Sequence, residues 1–69
     1  MNTISKRLMM RLRRFRQAKG WTQVELAKKA RVTQALVSQL ESGKKGSPSV
    51  VPLLRIAKAL GVTLEELLQ

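Results

Sequence analysis

The chain has 69 residues, 43% of them hydrophobic, and its 14 Lys and Arg against four Glu give a formal net charge of +10. A chain this short forms one small domain, expected to span 1–69, and buries only about 60% of its unfolded surface. It contains no Cys and no His, which excludes disulfides and ordinary zinc sites and leaves packing alone to hold the interior.

Ile4, Leu8, Leu12 and Phe15 recur at spacings of four, four and three, a one-faced stripe that predicts a first helix over 3–19, stopped by Gly20. Met9 and Met10 lie off the stripe and read as gap-filling or exposed apolar surface. Thr22 followed by Glu25 forms a capping-box pattern, so a second helix begins at about Gln23, with Leu26, Ala27 and Ala30 on one side. Thr33, three residues past Ala30, can cap a third helix. That helix buries Val37 and Leu40 and leaves Gln34, Ala35, Ser38 and Gln39 outside. Gly43 fits the position just past its end, and GKKGSPS is a turn-rich connection. Ser49 can cap a fourth helix that tolerates Pro52 in its first turn. Val50, Leu53, Leu54, Ala57 and Leu60 give this helix its expected buried side, and Gly61 stops it. Thr63 with Glu66 repeats the capping box and opens a short terminal helix whose Leu64, Leu67 and Leu68 face inward or toward a partner. The expectation is an all-α fold of five helices with no room for a sheet, no internal repeat and no separate linker.

Thr22 to Gly43 therefore encodes two short capped helices joined by a tight turn, the helix-turn-helix arrangement. Small residues and amides on the open face of the second of these helices suit base edges, because an amide can donate and accept at once to an adenine N6/N7 pair. For an arbitrary small helical protein, a solvated face would be the better reading. A surface charge of +10 favours polyanions, nucleic acid or an anionic membrane, and does not by itself choose between them.

In sequence order, the chain carries Arg16 four residues before Gly20, Trp21-Thr22-Gln23, Glu25-Leu26-Ala27 and Val32-Thr33-Gln34. Val37-Ser38-Gln39-Leu40-Glu41-Ser42-Gly43, Pro48-Ser49, and Leu60-Gly61-Val62 leading into Leu64-Glu65-Glu66-Leu67-Leu68 follow. In this order and spacing the chain resembles the phage-repressor and Cro-like helix-turn-helix proteins, also called the XRE family, over nearly its whole length. The resemblance implies a compact five-helix domain that inserts residues 33–42 into the major groove of double-stranded DNA. It places Gln34, Ala35 and Gln39 at base-reading positions with Ser38 beside them. Gln23 would meet a phosphate through its own N–H and its amide, where unpaired helical amides and the helix dipole favour an anion. Thr22, Thr33, Ser42, Lys44 and Lys45 would join it at the backbone, adding affinity without sequence information. Arg7, Arg11 and Arg14 share one side of the first helix and Lys6 and Arg13 another, so they cannot all meet one duplex.

The resemblance further implies a structural ion pair between Arg16 and Glu41 and a small residue, Ala27, where helices two and three cross. Two departures stand out. Leu36 replaces a residue that is often small and polar, and either touches sugar or a thymine methyl or packs against the body. Arg31 occupies a turn position where the family usually has glycine. A homodimer on a palindromic operator is the expected working unit, with Val62, Leu64, Leu67 and Leu68 as candidates for the contact, although leucines at helical spacing are more often core.

Catalysis is not expected. The chain has no His, Cys, Asp or Tyr, three of its four Glu have structural explanations, and GKKGS has the wrong order and context for a phosphate loop. No cofactor, metal or small-molecule ligand is implied. No apolar run approaches the roughly 18 residues of a membrane span, and Lys6, Arg7, Arg11, Arg13 and Arg14 interrupt any N-terminal signal core, so a cytoplasmic location is expected. With no fused effector domain, the protein would act by occupying its operator. Two rival readings remain: an antitoxin or controller protein whose partner-binding surface matters as much as DNA binding, and a cationic membrane-active protein.

Overall fold

Helix α1 runs Thr3–Ala18, α2 Gln23–Ala30, α3 Gln34–Ser42, α4 Val50–Leu60 and α5 Leu64–Leu68 in the computed structural model, which describes residues 3–43 and 49–69, with side chains from residue 6 onward. Among the described residues every regular element is helical, as the spacing predicts. Local chemistry sets the boundaries. Thr22 Oγ1 accepts from the Glu25 N–H at 3.1 Å while the Thr22 N–H donates to Glu25 Oε1 at 2.9 Å. Thr63 and Glu66 repeat this reciprocal pair at 3.0 Å each way, and Thr33 Oγ1 accepts from the Leu36 N–H at 3.1 Å. Each bond satisfies an amide that the first turn of a helix leaves unpaired. Ser49 differs from expectation: its backbone has the extended N-cap geometry, but its side chain makes no capping bond.

The turn between α2 and α3 depends on Arg31, the single non-glycine residue with positive φ among the described residues, at φ 58° and ψ 43°. Its left-handed backbone lets the Val32 N–H reach back to the Ala27 carbonyl at 3.0 Å, the reversal that normally ends a helix on glycine. A Cβ in this region costs on the order of 1 kcal/mol. Arg31→Gly is accordingly expected to stabilise the fold by up to about that amount, less the added freedom of the unfolded chain, and to raise the melting temperature by a few degrees. A clear fall in thermal denaturation would contradict this account of the turn.

Leu8 and Leu12 of α1, Leu26, Ala27 and Ala30 of α2, Val37 and Leu40 of α3, and Leu67 of α5 meet in one core with the buried side of α4. Fully burying each larger side chain contributes about 1.5–3 kcal/mol. The buried side of α4 holds Leu53, Ala57 and Leu60 as expected but differs at three positions. Ile56 is fully buried, whereas Val50 and Leu54 remain 58% and 49% exposed. Leu53, Ile56, Ala57 and Leu60 follow the i, i+3, i+4, i+7 spacing of a single stripe; Leu54 falls a hundred degrees round from it, and the stripe does not reach back into the first turn.

Leu67, a candidate for contact with a second chain, is instead fully buried in its own core, while Val62, Leu64 and Leu68 pack half-buried against that core. Leu36 does the same from α3. Helix α1 packs on α3 and α5, α2 on α3 and α4, and α4 on α5. Thus α3 is braced from one side by α1 and α2, and Ala27 of α2 is buried in the common core. Its other side is open.

Candidate nucleic-acid interface

The open arc of α3 follows from its spacing. Val37 and Leu40 face the core, Glu41 turns toward α1, and Gln34, Ala35, Ser38, Gln39 and Ser42 are left exposed on the remaining side. Thr33 fixes the start of this helix. Gly43 ends it at φ 73°, its N–H turned to the Gln39 and Leu40 carbonyls. A Cβ at Gly43 would stand 3.3 Å from Met9 Sδ, so glycine here serves a close approach as well as a left-handed turn. That contact gives half-buried Met9 a place that the periodicity of α1 did not reveal.

The strongest brace is polar. Glu41 is buried to 1% exposure, and its carboxylate takes both arms of the Arg16 guanidinium, Nε to Oε2 at 2.6 Å and Nη2 to Oε1 at 2.8 Å. Arg16 also donates through Nη1 to the Trp21 carbonyl at 2.7 Å, tying the α1–α2 connection to the same point. Gln23 Nε2 donates to Glu41 Oε1 at 3.3 Å. Arg13 donates through Nη2 to the Glu41 carbonyl at 3.0 Å, and its Nε lies 3.7 Å from Oε1. Burial pushes the Glu41 carboxyl up, but hydrogen bonds from Arg16 and Gln23 and the charges of Arg16 and Arg13 outweigh it and hold it below the usual carboxylate range. Hydrogen bonding to Glu41 correspondingly raises the Arg16 guanidinium. One buried carboxylate thus gathers α1, the start of α2 and the end of α3, which sets the direction in which α3 leaves the body.

The residues expected at phosphates fall in two places. Thr22 and Gln23 stand at the start of α2, Thr33 at the start of α3 and Ser42 in its last turn. The amides of the first helical turn in α2 and α3, beyond those taken by the threonine caps, have no partner within their own helix. Each capping hydroxyl accepts one bond and keeps its own proton to donate. Ser42 Oγ donates to the Gln39 carbonyl at 3.1 Å. Gln23 is half-buried and its side-chain amide is turned to Glu41, so of the two groups expected at a phosphate the amide is engaged within the fold. Lys44 and Lys45 lie outside the described residues.

The arginines of α1 divide as their spacing indicates. Arg13 and Arg16 turn toward the end of α3. Arg11, whose guanidinium stacks 5.2 Å from the Phe15 ring centre, donates through Nε to the Glu66 carbonyl on α5. With Arg7, Arg14 and Met10 it lines a shallow groove on that edge. Sequence reasoning missed two members of the Glu41 cluster, Arg13 and the Gln23 amide. The position of Arg13 three residues before Arg16, on the same flank of α1, was the available signal.

The helix-turn-helix family profile matches residues 12–67. Among curated proteins, an uncharacterized HTH-type transcriptional regulator, y4dJ, of Sinorhizobium fredii is 41% identical over 54 residues, covering 78% of this chain and 69% of the relative. A Mycobacterium tuberculosis protein provisionally named antitoxin HigA2 is 42% identical over 55 residues, covering 80% of this chain and 54% of the relative. The chain therefore spans about half the length of the second relative. No solved structure matches it significantly. The match takes in both capping boxes, the Arg31 turn and the Arg16–Glu41 pair, and the chain belongs to the helix-turn-helix family, of the phage-repressor and Cro-like (XRE) type that its motifs resemble.

Proposed function

We propose that the protein is a sequence-specific double-stranded DNA-binding transcriptional regulator that lays α3 in the major groove of an operator. The observation that carries this reading is the outer arc of α3: two glutamines, an alanine and a serine stand exposed on a helix whose far end is held by the buried Glu41 cluster. An amide presented on a rigid helix can pair with a base edge at little entropic cost. In this reading Gln34, Ala35, Ser38 and Gln39 read bases, Ala35 through apolar contact alone. Thr22, Gln23, Thr33, Ser42, Lys44 and Lys45 meet phosphates and set register. The net charge of +10 supplies the non-specific attraction.

The working unit is a homodimer on a palindrome, its half-sites about one helical turn apart as is general for helix-turn-helix dimers. The protein acts in the cytoplasm as a Cro-like repressor by occupancy and carries no catalytic activity. No helix among the described residues is long and apolar enough to cross a membrane, and Glu25, Glu41 and Glu66 are engaged in caps or in the ion pair.

Selection of bound duplexes from a random pool tests this directly. An enriched palindrome with two chains per site is expected, whereas a saturated site holding one chain by sedimentation would overturn the dimer, and no enrichment would overturn sequence-specific reading. The relative provisionally named as an antitoxin favours a second reading, in which the same DNA-binding domain also holds a partner protein. Co-purification of a second polypeptide in stoichiometric amount distinguishes it.

A further inference from the structure

We propose that the outer face of α4, with the groove it forms against the end of α2, docks an acidic amphipathic segment of a partner protein. The groove encloses about 440 Å³ and is lined by Lys29, Ala30, Arg31, Arg55, Lys58 and Ala59. Two alanines form a low floor that admits close approach, and four cations form the rim. Lys29 is partly engaged, 4.9 Å from the Trp21 ring centre and with its charge felt by Glu25, but among the described residues Arg31, Arg55 and Lys58 have no ion pair. Of the four Glu, Glu41 lies in the α1–α3 pair, Glu25 and Glu66 close capping boxes and Glu65 sits on α5, and the ion pairs among the described residues all go to Glu41.

The same face of α4 carries apolar side chains. Val51, 58% exposed, lies four residues before Arg55, and Leu54, 49% exposed, lies four residues before Lys58, so the four share one helical face. Exposed aliphatic side chains bordered by uncompensated cations match an occupant that brings both carboxylates and apolar anchors. A duplex brings only the charge. Moreover, α4 packs on α2 and α5 rather than lining the open arc of α3. A second copy meeting this face about a two-fold axis would set the same rim cations against one another, which opposes self-docking here. Arg31 adds an independent indication: its left-handed backbone is strained where glycine would be relaxed, and its side chain lines the groove. Strain retained at one residue points to a task for that residue's side chain.

The test titrates the isotope-labelled full chain with a synthetic helical peptide carrying Leu at i, i+3, i+4 and i+7 and Glu on its flanks, followed by NMR. A Lys-for-Glu version and a short random duplex serve as comparison probes. Saturable shifts confined to the outer face of α4 and the end of α2 are expected with the acidic peptide alone. Arg55→Glu/Lys58→Glu and Val51→Ser/Leu54→Ser should each weaken the peptide by about tenfold while preserving the melting temperature, because all four side chains are exposed, and the ratio of operator to scrambled-duplex affinity, because none of the four lies on the reading face of α3. Arg31→Gly should weaken the peptide without loss of stability. Any of four results overturns the proposal: no saturable binding; shifts spread equally over the α1 arginines; sensitivity to the charge pair with none to the apolar pair, which would make the face a general polyanion surface; or a protein dimer that Leu54→Ser dissociates, which would assign the face to a second copy. Operator binding is read separately, so failure here leaves the assignment of α3 standing.

Discussion

Arg16→Ala is expected to cost roughly 3–5 kcal/mol of folding stability, the range for stranding one member of a buried ion pair. The Arg16 side chain is 12% exposed and that of Glu41 1%, so water can reach little of the carboxylate left behind, and the Trp21 carbonyl loses its donor as well. A domain of this size has only about 5–15 kcal/mol to lose, so the variant should unfold near physiological temperature. Glu41→Ala should fall in the same range because it strands Arg16 in turn. Replacing both with apolar residues of similar volume should cost less than either single change, since much of the loss is the penalty of an unpaired buried charge rather than the attraction itself. Urea denaturation of the four proteins reads this as a coupling energy. Equal and small losses throughout would show two independent surface charges.

The same pair sets the behaviour of the fold in acid. The Glu41 carboxyl lies below its usual range when folded, because the donors and charges of Arg16, Gln23 and Arg13 outweigh burial, and near about 4.3 when unfolded. A carboxylate depressed on folding stabilises the native state fully above its unfolded value, and that stability is lost as pH falls through the folded value. The urea midpoint should therefore hold at neutral pH and decline below about pH 4.3, and Glu41→Gln should remove most of that decline. Glu25 is lowered in the same direction by the hydrogen bonds of its capping box with Thr22, and its full exposure makes its share minor.

How much of this was legible in the sequence depended on the range of the interaction concerned. Both capping boxes and the ends at Gly20, Gly43 and Gly61 follow from residues within five positions of one another, and the structure has them as read, whereas the turn at Arg31 was approached through family resemblance. The α1 stripe is equally plain, since Leu8, Leu12 and Phe15 admit one buried face. The α4 stripe was not: Val50, Val51, Leu53, Leu54 and Ile56 are apolar all round the first turns, and only the packing of α2 and α5 decides which are covered. The three-way meeting at Glu41 lay further out of reach. It joins residues 13, 16, 23 and 41; only 13 and 16 are linked by a local period, and the Arg16–Glu41 part was approached through family resemblance rather than through spacing. The contacts of the α3 face were likewise read from resemblance together with charge, and they depend on a duplex for their test.

Gln34→Ala and Gln39→Ala should each lose about 1–3 kcal/mol on the selected operator while leaving binding to scrambled duplex nearly unchanged. Both side chains are exposed on α3 and make no bond among the described residues that their removal would break, so the melting temperature should hold and the loss should lie in recognition alone. An amide paired to a base edge carries information and little charge, and its removal is felt only where the right base stands opposite. Lys44→Ala and Lys45→Ala should behave in the opposite way, weakening operator and scrambled duplex alike and flattening the slope of log affinity against log salt by about one for each phosphate left without its cation. On a dimer both effects count twice, because each substitution enters both half-sites. Titrating the four variants on both duplexes at several salt concentrations separates the two kinds of interaction. If the glutamine variants lost affinity equally on operator and scrambled DNA with no change of salt slope, α3 would not be the reading element, and its exposed amides would be a solvated surface that the Glu41 cluster braces for some other purpose.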